Sequence, residues 1–97
     1  MMKEKFVLAT YKESLKAYNK NEVPIGALLV KEREIIAKSY NKKIINKNPM
    51  AHAEINCILK ATKKLKTWRL DNCELYVSME PCEMCRQIIA EARIKKV

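Results

Sequence analysis

Pro81-Cys82-Glu83-Met84-Cys85, with Asn48-Pro49-Met50-Ala51-His52-Ala53-Glu54 upstream of it, is the part of this sequence from which the rest can be organised. Two thiolates spaced by two residues fall on one side of a helix start and can meet one metal ion. His52, the only histidine, supplies a third ligand. A second Cys-x-x-Cys and a second histidine are both missing, so Cys82 and Cys85 are not half of a completed structural zinc site. A redox pair or half of a zinc knuckle are the other readings of such a pair. Three protein ligands with one open position describe a metal site that keeps room for water. Pro49 and Pro81 place both halves at helix starts, where free N–H groups and the positive end of the dipole favour anionic thiolates. Glu54 is the candidate for proton transfer, because water on zinc has a pKa lowered to about 7 and needs a carboxylate nearby to move its protons. Taken alone, Glu54 also reads as a first-turn acid favoured by the helix dipole.

A chain of 97 residues has room for one core, so residues 1–97 are expected to form a single zinc domain. Hydrophobic residues make up 48% and charged ones 32%, a globular balance. The longest apolar runs, Phe6 to Ala9 and Ile25 to Val30, are far short of the roughly 20 residues that cross a bilayer. Lys3, Glu4 and Lys5 precede only four apolar residues with no small-residue cleavage site after them, so no secretory leader and a cytoplasmic address are expected. A reducing address turns the four cysteines toward metal rather than disulfides. Twenty basic residues against 11 acidic ones leave a net charge of +9, which suits a polyanion such as nucleic acid and equally fits a Lys-, Ile- and Asn-rich composition bias.

Periodicity outlines the elements. Leu8, Tyr11, Leu15 and Tyr18 predict an amphipathic helix from Lys3 to Asn19, with these residues in the core and a lysine-rich outer face. Ile25 to Val30 reads as a buried strand and Lys31 to Glu34 as a charged hairpin turn into Ile35 to Tyr40. Gly26, the only glycine, marks either a bulge or a close approach. Asn41 to Pro49 is a polar, basic loop, and Met50 to Lys64 a helix with Ile55, Ile58, Leu59 and Thr62 at core spacing. Leu75 to Ser78 is a strand, Pro81 opens a helix to about Ala92, and Ile94 to Val97 begins a fourth strand. Cys57 and Cys73 lack any ligand pattern and read as small buried hydrophobes. This order predicts layers of α/β type.

On the metal residues, and on Glu22-Val23-Pro24-Ile25-Gly26-Ala27, Pro49 to Ile55, Trp68-Arg69-Leu70 and Leu75 to Arg93, the chain resembles the bacterial tRNA-specific adenosine deaminases of the cytidine deaminase-like zinc superfamily. The resemblance implies a three-layer sandwich, a central mixed β-sheet flanked by helices, without the usual C-terminal strand and helix. It implies Zn2+ on His52, Cys82 and Cys85, with Glu54 as the catalytic proton carrier. It also implies Asn41, Ile25 and the Ala53 backbone N–H against the nucleotide, and phosphate contacts from the Asn41 to Asn48 loop and Lys60 to Arg69. The implied reaction is hydrolytic deamination of adenosine to inosine at the wobble position of a tRNA anticodon arm, carried out by a homodimer. Two departures stand out: Asn48-Pro49-Met50 replaces the family's usual Asp before and Thr after the proline, and the family's substrate-contacting C-terminal part lies beyond Val97. A deaminase of a free base or nucleoside (guanine, cytosine or cytidine) and a non-catalytic zinc-folded RNA-binding remnant are the competing readings.

Overall fold

Gly26–Lys31 (β1) is the central strand of the sheet, and its first five residues are buried. A strand covered on both faces needs no polar alternation, which is why it reads as a continuous apolar run. It pairs antiparallel with Glu34–Tyr40 (β2) on one side and Cys73–Val77 (β3) on the other, in the order β2-β1-β3. Glu32 and Arg33 join β1 to β2 with φ of 51° and 67°. Two successive left-handed residues give the hairpin a turn whose twist matches its strands. The computed structural model describes Met2–Val97.

Met2–Asn19 (α1) covers one face of the sheet, and Ala53–Leu65 (α2) with Glu83–Glu91 (α3) covers the other. On the α1 side Phe6 packs with Leu28 and Val30, and its ring lies 5.4 Å from that of Tyr76 at a tilt of 54°. On the opposite side Ala27, Leu29 and Leu75 meet Ala53, Cys57, Ile58 and Ile89 in the larger core. The result is the expected three-layer α/β sandwich.

Several expectations need correction. Leu8, Tyr11 and Tyr18 are more than half exposed, and the residues α1 turns to the sheet are Phe6, Thr10, Glu13, Ser14 and Ala17. Where it crosses Gly26 the helix sits too close to β1 for large side chains. A Cβ on Gly26 would lie 2.5 Å from both Ser14 N and Thr10 O, and 2.7 Å from Glu13 Cβ. Close approach therefore accounts for Gly26, while the sheet's irregularity falls elsewhere, between Leu29 and Val30. On α2, Leu59 is exposed and Ala61 takes the core position. Ile94 to Val97 forms no strand, and the expected mixed sheet is antiparallel at both of its described pairings, with one isolated parallel bridge, Glu74 to Lys96, outside the strands.

Gly26→Ala is expected to lower stability by about 3 kcal/mol, at the upper end of overpacking costs, because the clashing atoms are helix backbone and cannot rotate away. A thermal melt followed by circular dichroism should show a fall of more than about 10 °C. A fall of only a degree or two would mean that α1 moves off the sheet freely.

Candidate metal centre and active site

The antiparallel register brings the start of β1, the end of β2 and the end of β3 to one edge, with Gly26 opposite Tyr40 and Ala27 opposite Val77. The chain enters α2 after leaving β2, and α3 after leaving β3, so segments running into both helix N-termini leave from that edge. Ser78 ties two of the strands together there, accepting from the Gly26 N–H at 3.0 Å and donating its own N–H to Gly26 O at 3.1 Å.

The helices begin later than their prolines predict. Ala53 and Glu83 are the first helical residues, and His52 and Cys82 are N-caps with extended backbone (ψ 153° and 171°). Neither side chain caps its helix. Both are thereby free to point at something else. His52 Nδ1 lies 3.4 Å from Cys85 Sγ and 3.9 Å from Cys82 Sγ. The ligand atoms of His52, Cys82 and Cys85 all lie within 4.8 Å of one another, forming the one such group of donors among the described residues. Tetrahedral zinc, with bonds of about 2.3 Å to sulfur and 2.0–2.1 Å to nitrogen, requires N···S separations of about 3.6 Å and S···S separations of about 3.8 Å. The donor set and its spacing fit that ion. Cys85 is fully buried and Cys82 exposed, so the site opens on the Cys82 side.

Glu54 stands in the first turn of α2, 4% exposed, and is not among the gathered donors. Its Oε1 is buried without a hydrogen-bond partner. A buried carboxylate oxygen without a partner is costly, and a hydrogen-bond donor in the site relieves it. Burial pushes the Cys85 thiol above its ordinary range, with the nearby negative charge of Glu54 adding to the effect. Cys57, whose Sγ lies 3.4 Å from Ala37 O, is pushed up to about 12 chiefly by burial, as befits a packed and unreactive thiol. Cys73 is likewise buried and raised.

Asn41 is 4% exposed. Its Nδ2 donates to Val23 O at 3.4 Å and its Oδ1 accepts from the Lys43 N–H at 3.2 Å, so the amide is partly engaged within the protein. Ile25 is half-buried against the main core, with its carbonyl accepting from the Asn41 N–H at 3.0 Å. Ala53, 1% exposed, begins α2 with a backbone N–H that has no intrahelical acceptor. Lys60, expected near phosphate, donates to Lys38 O at the β2 edge. Two further residues tie the loop before α2 to the elements around it. Asn56 donates its side-chain amide to both Tyr40 O and Ala51 O, joining α2 to the loop before it. Glu22 accepts from that same loop, at Ile44 and Ile45. In the sequence Asn56, at the end of the first turn of α2, carried no signal, whereas Glu22 stood in one of the segments that carry the resemblance without a role assigned to it.

The chain is 46% identical over 97 residues to the tRNA-specific adenosine deaminase of Aquifex aeolicus (strain VF5), covering all of this chain and 64% of that protein. It thus spans less than two thirds of that relative's length. A solved structure from studies of A-to-I editing by tRNA:A34 deaminases superimposes with a TM-score of 0.95 at 39% identity, over 98% of this chain and 73% of the other. The guanine deaminase of Bacillus subtilis superimposes with a TM-score of 0.92, also at 39% identity, over 96% of this chain and 60% of the other. The model of the cytidine and deoxycytidylate deaminase zinc-binding region matches residues 1–97. With a whole-chain match laid over donors that gather as zinc requires, the chain belongs to the cytidine and deoxycytidylate deaminase zinc-binding family.

Proposed function

We propose that this chain carries the zinc-dependent hydrolytic deamination of adenosine to inosine in tRNA, at the wobble position of the anticodon. The observation that carries the reading is the unpartnered buried oxygen of Glu54 next to a three-donor metal set. His52, Cys82 and Cys85 would hold the zinc, which when bound supplies a water molecule acidified to near neutrality. Glu54 takes one proton from the attacking water as its oxygen bonds to C6 of the purine. The same carboxylate then delivers that proton to ring nitrogen N1, and the second water proton passes to the amine. The C6–N bond breaks, ammonia leaves, and inosine remains. Ile25 lines the base pocket, the Ala53 N–H holds the base, and the free hydrogen of the Asn41 amide contacts the nucleotide. The lysines of the Asn41 to Asn48 loop and of the segment from Lys60 to Arg69 serve the phosphates, which act without sequence preference.

Likeness to tRNA deaminases and the net charge of +9 support RNA as the substrate. Likeness to guanine deaminase favours one other reading, a free purine base. The proposal includes a homodimer, by likeness to the family, and a cytoplasmic address, whose reducing conditions suit thiolate ligands. No helix of the described residues is long and apolar enough to cross a membrane.

Zinc-loaded protein mixed with an anticodon stem-loop bearing wobble adenosine, beside free adenosine, cytidine and guanine, decides between these readings. Inosine in the RNA alone, with a KM that rises steeply with salt, is the expected result. A product from guanine alone, or a salt-independent KM, would reject RNA as the substrate.

A further inference from the structure

We infer that Glu22 is a positioning residue for the RNA substrate, its buried carboxylate holding the loop between β2 and α2 in the shape that presents its basic and apolar tip. The inference rests on the functional reading above. Asn21, at φ 61°, turns the chain out of α1, and the Glu22 N–H donates back to Ala17 O at 3.0 Å. This leaves the Glu22 side chain 5% exposed and directed at the loop. Oε1 accepts from the Ile44 N–H at 3.1 Å and Oε2 from the Ile45 N–H at 2.8 Å. Among the described residues no Lys, Arg or His pairs with Glu22. The partners of this buried charge are therefore the backbone of the loop tip, and charge-assisted bonds of that kind are about twice as strong as neutral ones.

The tip has little else to hold it. Ile44 and Ile45 are 68% and 48% exposed, so they do not anchor the tip in a core. Beyond Lys43, whose N–H donates to Oδ1 of buried Asn41 at 3.2 Å, the remaining bonds of the segment are internal turns, Asn46 N to Lys42 O, Lys47 N to Ile44 O and Asn48 N to Lys43 O. Its base is fixed separately, by the Lys42 N–H donating to Ala51 O at 2.9 Å, one residue before His52. Releasing the tip would move Ile44 and Ile45 and the turn that follows them while leaving His52 where it is. Binding should suffer and chemistry should not.

Glu22→Gln tests this with near-identical shape, since its amide offers one acceptor and sets an NH2 against a backbone N–H. In the zinc-loaded protein, amide exchange followed by NMR should speed up at Ile44 and Ile45. Affinity for a stem-loop carrying inosine, the product, should weaken by about tenfold, in line with the loss of a charge-assisted bond. KM for the adenosine stem-loop should rise in parallel, with kcat within threefold and zinc still one per chain. Glu22→Asp, which keeps the charge at shorter reach, should fall between the two. Equal binding by all three proteins, or a loss confined to kcat, overturns the proposal. A wild type that neither binds nor deaminates the stem-loop overturns the functional reading instead.

Discussion

Glu54→Gln is expected to lower kcat by about a hundredfold to ten-thousandfold, the range that a positioned proton carrier contributes. The amide matches the carboxylate in size but cannot accept a proton at neutral pH. Because Glu54 stands outside the cluster of donors, bound zinc should remain at one per chain. Stability should hold, since the amide fills the same buried space as the carboxylate. The measurements are single-turnover deamination of the stem-loop and metal content of the same sample. Zinc lost together with activity would make Glu54 a ligand and overturn its role as proton carrier. Activity within a few fold of wild type would assign proton transfer to another group.

Cys85→Ser is expected to abolish stoichiometric zinc binding and to destabilise the fold, because the free energy of metal binding is in part free energy of folding. Cys85 is fully buried in the first turn of α3, with its Sγ 3.4 Å from Nδ1 of His52 at the N-cap of α2, and contacts between the two helices are otherwise sparse. His52 and Cys85 are the bond between those helix starts once a metal joins them. A chelator added to wild-type protein should therefore reproduce the lower melting temperature of the variant, and should leave the variant unchanged. Equal melting temperatures for variant, chelated and zinc-loaded protein would make the metal structurally idle. The pH dependence has a definite sign. Burial and the charge of Glu54 raise the Cys85 thiol, so the metal-free site holds its proton at neutral pH and must release it when zinc enters. Zinc affinity should accordingly rise with pH and weaken as the solution is acidified, which a competition titration at about pH 6 and about pH 8 would measure.

The candidate metal site was legible because it depends on residue type and short spacing. Cys82 and Cys85 at i and i+3 with one histidine name a candidate donor set, and the acid two residues beyond that histidine a proposed proton carrier, wherever the chain places them. β1 was legible for a similar reason, since a strand covered on both faces is apolar at every position. The face of α1 was not. Its sequence carries two stripes at helical spacing, one of Leu8, Tyr11, Leu15 and Tyr18 and one of Phe6, Thr10, Ser14 and Ala17. Hydrophobicity selects the first, and the structure buries the second. The deciding factor is a distance between backbones, set where α1 crosses Gly26, and no periodicity within α1 reports it.

The same division holds at the site. From sequence alone came the identity of the donors, the central strand, the hairpin and the α/β order of elements, all of which follow from local rules of spacing and burial. Tertiary structure alone decided that His52 and Cys82 are extended N-caps rather than helical residues, and that α1 meets the sheet with the stripe of Phe6, Thr10, Ser14 and Ala17. It alone brought Glu22 to the backbone of Ile44 and Ile45. Those outcomes depend on how separately formed elements approach one another, and a bond between a side chain and a backbone N–H some 20 residues away leaves no pattern of residue types to read.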